Sequence, residues 1–105
     1  MTKTYKKLVR DRIPEIIRKN GSEPVTRILD EQEYLQELVI KLKEEVAEFE
    51  AEPSAEELAD IQEVLIALRA ALGISDGEVE DLRLKKANTN GRFKKRIYLE
   101  GVEGG

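Results

Sequence analysis

Nine acidic residues and only two basic ones lie in the 25 positions from Lys41 to Leu65. Four of these acids form two pairs, Glu45 with Glu48 and Glu57 with Asp60, and the members of each pair are three residues apart. In a helix this spacing places both carboxylates on the same face. Carboxylate oxygens are the ligands that hard divalent cations such as Mg²⁺ and Mn²⁺ prefer. Metal binding is therefore the chemistry that these pairs would support if they faced each other.

Two helices are predicted to position these acids. The first extends from its N-cap Asp30 to about Glu52, because Pro53 disfavours a helical conformation at the residue before it. Ser54 caps the second helix, which is predicted to end before Gly73. The short connection between them predicts a tight antiparallel hairpin.

On a helical wheel, the apolar residues of each helix form a single arc. Glu45 falls inside the arc of the first helix and Glu57 near the centre of the arc of the second. Glu48 and Asp60 lie at the edges of their arcs. The arcs consist of Leu35, Leu38, Leu42, Val46 and Phe49 in the first helix and Leu58, Ile61, Val64, Leu65, Leu68, Ala71 and Leu72 in the second, whereas the outward acids are Glu50, Glu56 and Glu63.

Closing the hairpin about its loop brings Glu48 level with Glu57 and Glu45 level with Asp60. Four carboxylates would then meet within an apolar seam, where they lose hydration and repel one another. The hairpin has too few inward cations to neutralise them, and Lys41 is its only near candidate. A bound divalent cation would resolve this conflict, and Mg²⁺ is predicted, with Mn²⁺ as the alternative.

Each acid also has an ordinary explanation. Glu57 follows Ser54 by three residues and could complete a capping box, while Glu48 could form a helical ion pair with Lys41. A single E-x-x-E pattern is weak, because charged helices contain it by chance. Two inward pairs at one level of a hairpin are a stronger signal. The acids interpreted as solvated surface charges are Glu44, Glu50 and Glu56.

The remaining chain predicts shorter elements. A short helix is expected between Pro14 and Gly21, and another from Ser75 to about Asn88. The segments YKKLV and RFKKRIYL alternate loosely enough for a short β pairing of the termini. We therefore predict a single all-α domain over residues 1–105, with a helical hairpin at the core of a four-helix-type bundle.

Composition limits the chemistry further. The 105 residues include neither cysteine nor histidine and carry a formal net charge of −4. Thiolate chemistry, cysteine–zinc sites and a histidine base are thus excluded. The charge gives no support for nucleic-acid binding, and no apolar run is long enough to span a membrane. The start, MTKTYKKLVR, lacks the apolar centre of a secretory signal, which predicts a cytoplasmic location.

Seven basic residues and no acid lie between Arg83 and Arg96. Cations opposite an acidic metal site would suit a polyphosphate, because they neutralise charge that develops on its leaving group. The alternative is a solvated basic edge. The candidates for phosphate contacts are Lys86, Arg92 and Arg96.

The segment KLKEEVAE followed by EELAD resembles the E-x-x-E…E-x-x-D signature of the all-α nucleoside triphosphate pyrophosphohydrolases, the MazG-like and phosphoribosyl-ATP pyrophosphohydrolase-like superfamily. KLVRDRIPEII and NGRFKKRI are similar to further segments of that group. The resemblance implies Mg²⁺-dependent cleavage between the α- and β-phosphates of a nucleoside triphosphate, giving a nucleoside monophosphate and pyrophosphate. It also implies a homodimer or homotetramer, with nucleotide-pool house-cleaning as the role. Eight residues separate Glu48 from Glu57, fewer than is usual in the family.

Site residues follow from the same resemblance by position. A metal-activated water would attack the phosphate, and Glu44 or Glu48 would orient or deprotonate that water. The implied residues are the metal ligands Glu45, Glu48, Glu57 and Asp60, the catalytic carboxylates Glu44, Glu45 and Glu48, and the phosphate contacts Lys41, Lys86, Arg92 and Arg96.

Two alternatives stay open. The same site could act on another phosphoanhydride, such as phosphoribosyl-ATP. Alternatively, the protein could be a non-catalytic helical interaction module, because a second, weaker apolar stripe faces away from the hairpin core. This outer stripe consists of Ile40, Ala47 and Ala51 on the first helix and Ala59, Ile66 and Ala70 on the second.

Overall fold

The computed structural model describes residues 3–104 and is built from four α-helices. No strand or sheet occurs within this range, and the predicted all-α fold is confirmed. None of the helices in residues 3–104 has the length and apolar character needed to cross a membrane. The helices are α1 (Ile13–Lys19), α2 (Glu31–Ala51), α3 (Ala55–Ala71) and α4 (Asp76–Asn90).

Side-chain caps determine where the three longer helices begin. The Asp30 side chain accepts a hydrogen bond of 2.8 Å from the Glu33 N–H at the start of α2. Ser54 Oγ accepts one of 3.2 Å from the Glu57 N–H at the start of α3. Each bond satisfies an N–H group that the helix itself leaves unpaired. The predicted caps of both hairpin helices are therefore confirmed, and Ser75 caps α4 in the same way.

The C-terminal ends of these helices also follow the predicted signals. The C-cap residue of α2 is Glu52, directly before Pro53. Gly73 follows α3 with a φ of 71°, and Gly91 follows α4 with a φ of 85°. Residues with a side chain rarely adopt this conformation, so glycine provides an inexpensive exit from a helix. α4 ends at Asn90, two residues beyond the predicted end.

The predicted β pairing of the termini is wrong for the described residues. Neither residues 5–9 nor residues 92–99 form a strand. A turn interrupts the second segment, because the Arg96 N–H donates to the Phe93 carbonyl at 3.1 Å. Arg96 itself has a φ of 58°, which is incompatible with an extended strand.

The chain divides into two compact units, Met1–Gly73 and Ile74–Gly105. The first contains α1, α2 and α3, and the second contains α4 with the C-terminal segment. Within the first unit, α2 and α3 pack against each other as the predicted hairpin, with only residues 52–54 between them.

The core of the hairpin is narrow. Leu38 of α2 and Val64 of α3 are the only buried apolar residues among those that the structure describes. Val46, Leu58 and Leu72 were expected in the core, yet they are 48%, 51% and 55% exposed. Two packed helices cover only a strip of each apolar arc, and residues at the edges of the arcs need a further layer to cover them. The helical wheel therefore identified the apolar side of each helix but overestimated how deeply the residues of the arcs are buried.

Candidate metal centre

Three of the inward acids meet across the hairpin. Glu45, Glu57 and Asp60 each present a carboxylate oxygen, and these three oxygens all lie within 4.8 Å of one another. Glu45 comes from the C-terminal half of α2, whereas Glu57 and Asp60 occupy the first two turns of α3. The short loop makes this possible, since it places the end of one helix beside the start of the next. We call Glu45, Glu57 and Asp60 the carboxylate cluster.

Glu45 is the most buried member of the carboxylate cluster, with 6% of its surface exposed. Its Oε1 atom lies 3.5 Å from the Lys41 ammonium one helical turn earlier. Its Oε2 atom is buried and has no hydrogen-bond partner. Burial raises the pKa of the Glu45 carboxyl, the charge of Glu48 raises this pKa further, and Lys41 opposes the shift. The fold thus holds a carboxyl group where its charged form is disfavoured.

Glu57 is partly buried and carries a second unpaired oxygen. Its backbone N–H donates to Ser54, as a capping box requires, but its side-chain Oε2 is buried without a hydrogen-bond partner. Burial raises the pKa of Glu57, followed by the charges of Glu48, Asp60 and Glu45. The capping explanation accounts for the backbone of Glu57 and leaves this Oε2 atom unexplained.

Glu48 and Glu44 lie at the edge of the site. Glu48 is exposed and is not among the three residues that meet within 4.8 Å. Its charge nevertheless raises the pKa of both Glu45 and Glu57, so its carboxylate is close to theirs. Glu44 is partly exposed, and its Oε1 lies 3.9 Å from Lys41 Nζ. Glu48 is therefore close to the carboxylate cluster, whereas Glu44 lies beside Lys41.

The structure adds a cation that sequence reasoning missed. Arg10 Nη2 donates to Asp60 Oδ1 at 2.7 Å, and Arg10 Nη1 lies 3.9 Å from Glu63 Oε1. Lys41 is the expected cation from the hairpin itself, and Arg10 adds a second one from outside the hairpin. Arg10 is 50 residues from Asp60 along the chain, and no local periodicity connects the two. The one available signal was the KLVRDRIPEII segment, which the family resemblance had singled out without giving Arg10 a role.

A cavity of about 460 Å³ opens beside the carboxylate cluster. It is a groove that is partly open to solvent and not an enclosed site. The N-terminal segment 8–12 and residues of α2 and α3 line it, so that Arg10, Lys41, Glu45 and Asp60 share the cavity with Tyr34. Tyr34 was not predicted to be near the site. The cavity therefore combines acids, cations and an aromatic ring within the first unit.

The other predicted phosphate contacts belong to the second unit. Lys86 is exposed on α4, and Arg92 and Arg96 are exposed in the segment that follows it. Their role as phosphate contacts stays a prediction.

The donor set of the carboxylate cluster suits a hard cation. All its side-chain donors are carboxylate oxygens, and two of these oxygens are buried without a partner. Unpaired buried carboxylates are costly, whereas coordination to a divalent ion satisfies both their charge and their lone pairs. The residues present therefore fit Mg²⁺ or Mn²⁺ better than a soft metal.

Comparison with known proteins adds little about function. No protein-family model matches the chain, and no solved structure matches it. An uncharacterized protein of Mycolicibacterium smegmatis is 59% identical over 44 residues, a match that covers 42% of this chain and 45% of that protein. The chain thus spans less than half the length of this relative.

We expect the Glu45→Gln variant to be more stable than the parent protein without metal. The amide removes a disfavoured buried charge, so the free energy of unfolding should rise by roughly 0.5 to 2 kcal/mol. Urea unfolding in the presence of a chelator measures this. Glu50→Gln, which removes an exposed charge from the same helix, is the matched control and should change stability by less than about 0.5 kcal/mol. Destabilisation by Glu45→Gln would show that this carboxylate supports the fold.

Proposed function

We propose that the protein is a Mg²⁺-dependent hydrolase that cleaves the α–β phosphoanhydride of a nucleoside triphosphate, releasing a nucleoside monophosphate and pyrophosphate. The observation that carries the proposal is the convergence of Glu45, Glu57 and Asp60 around two buried, unpartnered oxygens. The E-x-x-E…E-x-x-D resemblance supplies the reaction class.

The electrostatic cost of burying Glu45 supports a role for this residue as a metal ligand and not as part of the core. The hairpin buries only two apolar residues among those that the structure describes, and it gains little stability from burying a carboxylate as well. Replacing the buried acid by an apolar side chain would make a better core. A charged side chain at this position is therefore best explained by a ligand that needs it.

The cations beside the carboxylate cluster support an anionic substrate. Arg10 and Lys41 line the same cavity as Glu45 and Asp60. A polyphosphate placed there would have its negative oxygens close to a guanidinium and an ammonium group, which bind phosphate well. Neither cation has to leave the cavity wall to reach such a ligand.

We assign separate roles to the acids of the site. Glu45, Glu57 and Asp60 would hold the cation. When bound, that cation lowers the pKa of a coordinated water and polarises the phosphate. Glu48 is exposed beside the cluster, so its carboxylate is available to orient the attacking water and accept its proton. Glu44 remains the alternative proton acceptor.

Mg²⁺ should raise the melting temperature of the parent protein. Binding to the folded state alone stabilises it by about 2.7 kcal/mol when the ion concentration is 100 times its Kd. Thermal unfolding with increasing MgCl2, measured against NaCl of equal ionic strength, tests this. Glu45→Gln should lose the Mg²⁺-specific shift, while Glu50→Gln should keep it. Equal shifts in both salts would argue against a metal site.

Pyrophosphate release should depend on the carboxylate cluster. We expect Glu57→Gln and Asp60→Asn to lower kcat/KM by about 100-fold or more, because each removes a ligand from the ion. The assay is a pyrophosphate-release screen over common and modified nucleoside triphosphates, with phosphoribosyl-ATP as the rival substrate. Glu56→Gln, an exposed neighbour of Glu57, is the control and should retain the parent rate. Parent-like rates in both cluster variants would eliminate the assignment.

We also propose that the protein assembles with a second copy through its outer stripe. Ile40 is 55% exposed and Ile66 is 46% exposed, and the four alanines of the stripe are exposed as well. Small residues beside isoleucines allow close packing of helices. Contact between two copies would remove the apolar side chains of the outer stripe from water.

Ile66→Glu should therefore weaken self-association by at least about tenfold, since a charge within an apolar contact is strongly unfavourable. Sedimentation velocity over a range of concentrations would show a shift to lower mass. Val25→Glu makes a similar replacement at a highly exposed loop position and should leave the mass unchanged. A parent protein that sediments as a monomer would refute the assembly.

A further inference from the structure

Arg10 occupies a contact that a bound cation would contest. Its guanidinium is 2.7 Å from Asp60, a member of the carboxylate cluster, and no other basic side chain in the described residues forms an ion pair with Asp60. A divalent ion and a guanidinium group repel each other, so both cannot use the same carboxylate at full strength. We therefore expect binding of the ion to weaken the Arg10–Asp60 pair.

Breaking the Arg10–Asp60 ion pair costs little free energy. The Arg10 side chain is 58% exposed and that of Asp60 is 38% exposed. Ion pairs this accessible to solvent contribute little to stability, about 1 kcal/mol or less. The Arg10 carbonyl accepts a hydrogen bond of 3.1 Å from the Ile13 N–H, which joins the backbone of Arg10 to the start of α1 independently of its side chain. The Arg10 side chain can thus change partners while its backbone stays joined to α1.

The cavity offers the released side chain a second partner. Arg10 lines the cavity of about 460 Å³ together with Lys41 and also lines an adjoining one of about 240 Å³. An anion in either cavity lies within the region that the guanidinium already borders. A guanidinium group can form bidentate hydrogen bonds with phosphate as well as with carboxylate oxygens. Exchange of Asp60 for a phosphate group therefore preserves the hydrogen bonding of Arg10.

We propose that Arg10 is an exchangeable counter-ion of the carboxylate cluster: a divalent cation displaces it from Asp60, and it then binds the phosphate groups of the ligand in the cavity. This rests on the metal site proposed above. In the absence of metal, Arg10 lowers the affinity of the site for free cations. With metal bound, the same side chain raises the affinity for a phosphate ligand, so Arg10 acts as a positioning residue that couples the two binding events.

The test measures two affinities that should change in opposite directions. Binding of Mn²⁺ alone is followed by the electron paramagnetic resonance signal of the free ion, and Arg10→Gln should bind it about fivefold more tightly than the parent. Binding of methylenediphosphonate, a hydrolysis-resistant pyrophosphate analogue, is measured calorimetrically at saturating Mn²⁺. Here Arg10→Gln should bind about tenfold more weakly, and Arg10→Lys should recover part of the loss.

Arg18→Gln is the matched control, because Arg18 is exposed on α1 and its side chain makes a long ion pair of 4.0 Å with Glu23. It should leave both affinities unchanged. If Arg10 serves only to hold the N-terminal segment in place, Arg10→Gln would weaken both affinities, and the proposal is overturned. Unchanged Mn²⁺ affinity in Arg10→Gln, with Mn²⁺ binding intact in the parent, overturns it as well and leaves the metal site standing.

Failure of the metal site gives a different result. If neither the parent nor Arg10→Gln binds Mn²⁺, the site itself is refuted and the counter-ion role falls with it. If Arg10→Gln binds Mn²⁺ and the parent binds it only in the presence of methylenediphosphonate, the exchange is supported in its strongest form.

Discussion

The buried carboxylate of Glu45 is the constraint on which the rest of the hairpin depends. It lies on the same helix as Leu38 and opposite the start of α3, where a hydrophobic side chain would pack without cost. Burial of Leu38 and Val64 contributes roughly 1.5 to 3 kcal/mol for each residue. An imperfectly paired buried charge costs several kcal/mol, which is comparable with that gain. In the metal-free hairpin, the gain from apolar burial and the cost of the buried charge are therefore of similar size. A ligand that neutralises this charge would make the folded hairpin more stable.

Local signals allowed most of the fold to be predicted from the sequence. Asp30, Ser54 and Ser75 each cap a helix as predicted. The three longer helices end before Pro53, Gly73 and Gly91. These residues act through their own backbone geometry or through a hydrogen bond three residues away, so their effect can be identified without tertiary information. The position of Glu45 opposite Asp60 could be predicted from the sequence for the same reason, because a short loop fixes which residues of a hairpin lie opposite each other. Failure of the β pairing shows the limit of a weak alternation pattern, which the Phe93–Arg96 turn overrides.

What the sequence did not predict depends on contacts between distant segments. Arg10 reaches Asp60 from an N-terminal segment without regular structure, and its placement follows from packing and not from any periodic pattern. Tyr34 enters the cavity because that same segment forms one wall. The exposure of Val46 and Leu58 has a related cause, because a helical wheel gives direction but does not say how many layers cover the apolar arc. Local sequence thus determines the fold class and the direction in which the carboxylates of the cluster point. The shape and the charge balance of the site depend on tertiary contacts.

The charge balance of the site favours a divalent ion over a monovalent one. Four carboxylates, those of Glu45, Glu48, Glu57 and Asp60, adjoin two cations, Lys41 and Arg10. These two cations also pair with Glu44 and Glu63, so negative charge is in excess around the site. An ion of charge +2 offsets more of this excess than a monovalent ion does. If Arg10 turns to a phosphate ligand, the excess negative charge on the acids grows by one. The phosphate oxygens then need both the ion and Arg10 to bind against that excess. Metal and phosphate binding are in this way linked by electrostatics alone, before any movement of the helices is required.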